Sequence, residues 1–197
     1  MRKIYNKDLT TDLIERNRKI AIEAEKLKKL DITTLRISPA KGKWSILQCF
    51  GHMNIVYEIY LRNIQYSLEK SKAKHVPSSG FYIPGYFGNK FYLTMLPAKA
   101  GKKKKSMKTL KKFVPEMNEK AIDDFLSHHS IFTELIRLIP GQNLGKTKAA
   151  SAIGRIIRFK LGDIYRIITA HNERHIIQAK NTAELLSKST DRLHLTS

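Results

Sequence analysis

The 197-residue sequence has a single cysteine, Cys49. No internal disulfide and no cysteine-rich zinc site can be built from it. Acidic side chains are scarce as well: 17 Asp and Glu stand against 37 Lys and Arg, a formal net charge of +20. That balance raises a nucleic-acid binder, a membrane-surface binder or a soluble protein with a lysine-rich exterior. Apolar runs are short, and none reaches the roughly 18 residues of a membrane-spanning helix. Met1 to Asp8 leads into charged helical sequence without the apolar centre of a signal peptide. A cytoplasmic protein with no membrane partner is expected. There is no strong alternating strand pattern, no repeat of fixed period, no Walker loop, no dinucleotide fingerprint and no Ser-His-Asp order.

What is present is helical periodicity. Hydrophobic residues make up 42% of the chain, enough to bury a core. Leu9 to Leu30 reads as one helix, with Leu13, Ile20, Leu27 and Leu30 joined by Ala21 and Ala24 into an apolar stripe. A second helix starts at Ser45, where Ser45 and Gln48 fit a capping box, and runs to about Glu69. Its stripe is Ser45, Cys49, His52, Val56 and Ile59. A long crossover follows, Ser71 to Val114, broken by Pro and Gly and rich in aromatics, with a short helix near Gly88 to Leu96. Lys99 to Lys112 carries eight lysines in fourteen residues; the run Lys102 to Lys105 reads as a solvated loop or a contact to a polyanion. Pro115 suits the first position of a third helix, in which Ile122, Phe125, His129, Phe132 and Ile136 recur until Pro140-Gly141. Gln142 to Lys160 reads as an irregular connection with an apolar turn at Ile153 to Phe159. Gly162-Asp163 opens the last helix, whose stripe is Ile164, Ile168, His171, His175, Gln178 and Leu185. The expected fold is all-α, a four-helix bundle in a single domain spanning 1–197, with a long crossover between helices 2 and 3.

Three histidines sit on stripes that otherwise read as core. His171 and His175, at i and i+4, lie one above the other on a helix face, and that spacing lets two imidazoles share a metal ion. His52 lies on the second helix. Each can also be a core histidine bonded to a neighbour, the more so for His52, which stands alone on its helix, and spacing alone leaves the two readings open. Glu173 is about 200° round the helix from His171 and should face away. Cys49 reads as a small buried thiol rather than a fourth ligand, and Trp44 as a packing anchor or a pocket wall. His129 reads as a core or pocket residue.

Gly42-Lys43-Trp44-Ser45-Ile46-Leu47-Gln48-Cys49-Phe50-Gly51-His52 resembles the Trp-Ser-x-x-(Glu/Gln)-x-x-x-His opening of the second helix in the DinB/YfiT-like superfamily. His171-Asn172-Glu173-Arg174-His175-Ile176-Ile177-Gln178 resembles that family's His-x-x-x-His-x-x-Gln segment in the fourth helix, and Phe113-Val114-Pro115 its Phe-x-Pro before the third. The resemblance implies a bundle of up-down-down-up topology holding one divalent metal ion, zinc, nickel or iron, on His52, His171 and His175, with open positions. Trp44, Gln48 and Gln178 are then candidates for the surrounding pocket. It also implies an enzyme acting on a small-molecule substrate, hydrolase-like or a transferase of a low-molecular-weight thiol. The lysine content and the aromatic crossover depart from the family pattern. The rival expectation is a non-enzymatic basic module that binds nucleic acid or another polyanion. A homodimer is compatible with either.

Overall fold

The computed structural model describes residues 1–97 and 117–194, with side chains throughout except at 155 and 189–194. Four long helices make the bundle: α1 (Asn6–Lys28), α3 (Ile46–Ala73), α5 (Ala121–Arg137) and α6 (Leu161–His194). Two short helices, α2 (Ile32–Arg36) and α4 (Tyr86–Met95), and a 3-10 turn (Ile139–Gly141) complete the helical part of the described residues. Both α1 and α3 pack against α5 and α6. The first two long helices, α1 and α3, therefore sit on a diagonal of the bundle rather than side by side.

Each long helix follows from its apolar stripe. Leu13, Ile20, Ala24 and Leu27 of α1 are buried, as are Phe50, Tyr57 and Ile64 of α3 and Phe125, Phe132 and Ile136 of α5. The start of α3 is fixed locally. The Ser45 hydroxyl accepts from the Gln48 backbone N–H at 3.2 Å, and the Gln48 side-chain oxygen accepts from the Ser45 N–H at 3.0 Å. This closes the expected capping box and satisfies two first-turn donors. Ser45→Ala should cost about 1 kcal/mol in a urea melt.

The structure departs from the sequence reading in three places. Gln142 to Lys160 is not all irregular: β3 (Lys148–Ser151) and β4 (Gly154–Lys160) form an antiparallel hairpin with a bulge between Ala150 and Ser151. The alternation was hidden because Ile156 in β4 is 96% exposed while Ala149 and Phe159 are buried. The hairpin is anchored on α3, where Asn63 donates to the Ala150 carbonyl and Tyr60 shares a hydrogen bond with Ser151. A second, minimal pairing joins β1 (Ile4–Tyr5) to β2 (Phe81–Tyr82). The buried stripe of α6 ends at Thr182, and Leu185 is exposed. The third helix begins at Ala121 in the described residues; Pro115, the Phe113-Val114-Pro115 motif and the run Lys102 to Lys105 lie outside them.

The crossover helix α4 is tied to the first turns of α6. The buried Asp163 carboxylate accepts from the Gly85 N–H at 2.8 Å, at the α4 N-terminus. Arg166 lies over the Tyr92 ring, 3.9 Å from its centroid, and donates to Asn89. Arg174 reaches the Thr94 carbonyl, so the far end of α4 comes down beside the residue that precedes His175. Gly162 makes the close approach possible at the other end, since a Cβ there would overlap the Tyr82 ring. Gly162→Ala should therefore destabilise the fold by about 1–3 kcal/mol, read by thermal or urea unfolding.

Candidate metal centre

The capping box sets the phase of α3. From Ser45, the seventh residue on is His52, which is buried among core neighbours. On α6, the i, i+4 spacing brings His171 and His175 to the same face, both buried. Because α3 and α6 are packed neighbours, the three rings meet. One ligand-capable atom from each of His52, His171 and His175 falls within 4.8 Å of the other two. Ring centroids lie 4.5 Å apart for His171 and His175, 4.7 Å for His52 and His175, and 5.1 Å for His52 and His171.

The nitrogens are oriented as well as close. His52 Nε2 and His171 Nε2 face each other at 3.1 Å and share a hydrogen bond, so in the metal-free site one of the two carries the proton between them. Two imidazole nitrogens on one tetrahedral zinc, at bond lengths of about 2.0–2.1 Å, stand about 3.3 Å apart, so this pair has nearly the separation of two ligands. On the far side of the rings, His171 Nδ1 meets Asn172 Oδ1 at 3.4 Å, and His175 Nδ1 meets Gln178 Oε1 at 3.1 Å. An amide oxygen only accepts, so it holds the proton on Nδ1 and leaves Nε2 as a lone pair. Burial, reinforced by the neighbouring His52, pushes His171 down to about 3. Burial, with His171 and His52 beside it, holds His175 well below its ordinary value. Three converging imidazoles, with His171 and His175 held neutral by burial, are the donor set a divalent transition metal takes, and the residues present fit such an ion.

Trp44 forms a wall of this cluster. Its ring centroid is 4.9 Å from that of His52, and it stacks on His175 at 5.8 Å with 24° between the planes. It is half-buried, packing anchor and site wall at once. Gln178, another candidate for the surrounding pocket, faces His175 Nδ1 through its side-chain oxygen. Gln48 uses its side-chain oxygen in the capping box. Cys49 is a buried free thiol outside the histidine group, and burial pushes it up to about 12, so it stays protonated. A groove of about 480 Å³ between α3 and α5, lined by Asn54, Glu58, Asp124 and His128 among others, includes none of the three histidines.

Glu173 faces away, as its position round the helix requires. Its two oxygens accept from Arg16 Nε and Nη2 of α1, both at 2.7 Å, a bidentate and partly buried pair. Its work is to fasten α6 to α1. Glu173→Gln should cost about 1–3 kcal/mol of stability and leave metal content unchanged, checked by a urea melt and metal analysis on the same sample. The sequence reading passed over Asn17, Tyr57 and Asn172, all fully buried. Asn17 had a visible signal, a lone amide in the stripe Leu13, Asn17, Ile20, Ala24.

The family model of the DinB superfamily matches residues 13–179. The chain belongs to the DinB superfamily. Among solved structures, this DinB-superfamily chain is similar to YfiT from Bacillus subtilis, with 12% identity and a TM-score of 0.51 over 90% of this chain and 87% of that one. YfiT is described as a probable metal-dependent hydrolase with an unusual four-helix bundle topology. At this identity the likeness concerns the fold. No curated protein matches the chain. Among the described residues, no helix of this DinB-superfamily member is long and apolar enough to cross a membrane.

Proposed function

We propose that this protein is a metal-dependent enzyme in which His52, His171 and His175 hold one divalent ion. At that centre it activates a small nucleophile, water in a hydrolase or a low-molecular-weight thiol in a transferase, toward a small-molecule electrophile. The observation that carries the reading is the convergence of three buried imidazoles, two of them with Nε2 atoms 3.1 Å apart. A divalent ion held this way, with positions left open, supplies a nucleophile at neutral pH by lowering the pKa of bound water to about 7 or by taking up a thiol as thiolate.

The chain's own residues do the rest. Three protein ligands, rather than four, is the pattern of a catalytic centre. Burial keeps His171 and His175 neutral and able to give their lone pairs. Asn172 and Gln178 hold the Nδ1 protons in place. Trp44 covers the rings of His52 and His175 from one side and excludes water there. Glu173, committed to Arg16, is not available as a general base. The description of YfiT as a probable metal-dependent hydrolase supports the hydrolytic branch, while imidazole suits zinc, nickel and iron alike.

Trp44 is the only tryptophan in the chain, which gives a direct readout. Titrating the metal-free protein with zinc or nickel should change its intrinsic fluorescence and saturate at one ion per chain. His175→Ala should abolish the change. A wild-type protein whose emission and calorimetric trace both ignore the metals would overturn the reading. A screen of ester and amide hydrolysis beside thiol conjugation then separates the two branches.

A further inference from the structure

Behind His171 a chain of buried hydrogen bonds crosses the bundle and touches all four long helices. It begins on α1 at the Asn17 backbone carbonyl, which His129 Nε2 of α5 meets at 2.9 Å. His129 Nδ1 lies 2.7 Å from the Tyr57 hydroxyl of α3. Asn172 Nδ2 of α6 lies 2.7 Å from the same hydroxyl, and Asn172 Oδ1 faces His171 Nδ1 at 3.4 Å. Every side chain in it is buried: Tyr57 and Asn172 are 0% exposed and His129 is 4% exposed.

The direction of each bond is forced from the α1 end. A backbone carbonyl only accepts, so His129 carries its proton on Nε2. Burial keeps that ring neutral, which leaves Nδ1 as an acceptor. The Tyr57 hydroxyl, which burial holds in its protonated form, must then donate to Nδ1. A phenol has one proton, so toward Asn172 its oxygen can only accept, and Asn172 must present its NH2 group there. This also settles which way round the Asn172 amide sits. Its oxygen is then turned toward His171, and His171 must carry its proton on Nδ1.

We propose that the Asn17 carbonyl, His129, Tyr57 and Asn172 form a polarised chain that locks His171 in the Nδ1–H tautomer and aims its Nε2 lone pair at the metal position. His129, Tyr57 and Asn172 are positioning residues for the metal centre, although none of them is a ligand. The role toward metal rests on the three-histidine reading above; the tautomer does not. Without the chain, His171 is free to carry its proton on Nε2, and each binding event must first pay for a change of tautomer.

The test uses the full chain labelled with 15N in its histidines. Long-range 15N–1H correlation spectra of the metal-free wild type should show His171 as the Nδ1–H tautomer, and an Nε2–H assignment overturns the proposal whether or not any metal binds. Tyr57→Phe keeps the ring and deletes the hydroxyl that relays the direction from His129 to Asn172. It should populate the Nε2–H form of His171 and weaken zinc binding, measured by chelator competition, by about 10- to 100-fold. Unchanged affinity together with an unchanged His171 spectrum in a folded Tyr57→Phe protein would overturn it too. A wild type that binds no metal but shows the expected tautomer defeats the metal reading alone.

Discussion

His171→Ala is expected to leave a folded protein that comes through purification without metal and has lost its activity. His171 Nε2 of α6 stands 3.1 Å from His52 Nε2 of α3. Of the three proposed ligands, His171 is the one on which the buried hydrogen-bond chain converges. Removing it leaves two imidazoles, and the loss of affinity should exceed the 10- to 100-fold typical of removing a residue that only supports a ligand. Alanine at this site creates a cavity but strands little, because Asn172 keeps Tyr57 as a partner. Secondary structure by circular dichroism should therefore be retained while bound metal, counted by mass spectrometry, falls from about one per chain to near zero. A variant that keeps stoichiometric metal would show that the ion sits elsewhere.

The second large effect is on acid stability. His171 is neutral in the folded, metal-free protein, with burial pushing it down to about 3, whereas an unfolded histidine titrates near 6.5. The unfolded chain therefore binds the extra proton first. The stabilisation is complete above about pH 6.5 and is lost progressively as pH falls toward 3. For His171 alone the whole window amounts to roughly 4–5 kcal/mol, of which about 2 kcal/mol is gone by pH 5. His175 and His129 are lowered by burial as well and act in the same direction. Asp163 acts in the opposite sense, because burial raises its carboxyl above the ordinary value, and an Asp163→Asn background removes that contribution. Total domain stability is of order 5–15 kcal/mol, so the metal-free protein should unfold in mildly acidic solution. Urea melts at pH 7.5 and pH 5 measure the effect; equal midpoints and slopes at the two values would contradict it.

Most of the bundle is readable from periodicity because it depends on stripes that keep a 3.6-residue period. Leu13, Ile20 and Leu27 announce α1, and Phe125, Phe132 and Ile136 announce α5. The capping box at Ser45 is legible because its two bonds are local, three residues apart. His52, His171 and His175 stand out as polar side chains on apolar stripes, but only the packing of α3 on α6 brings them within 4.8 Å of one another. Two features were not readable. The hairpin Lys148 to Lys160 escapes because an exposed Ile156 breaks the alternation. The chain through Asn17, His129, Tyr57 and Asn172 escapes because its four members come from four helices, and its direction follows from one backbone carbonyl that no side-chain pattern encodes. The large positive charge, the first thing the composition offers, is the least informative about the site. Its densest stretch, Lys102 to Lys105, lies outside the described residues, and the histidine cluster has no need of it.

The three buried histidines are proposed to make a metal centre. The most direct measurement is the metal content of the wild-type protein, purified under native conditions without chelator and again after reconstitution with zinc, nickel or iron. The account predicts about one ion per chain, displaced as His171 and His175 are replaced. Protein that is folded yet empty in both preparations would contradict it.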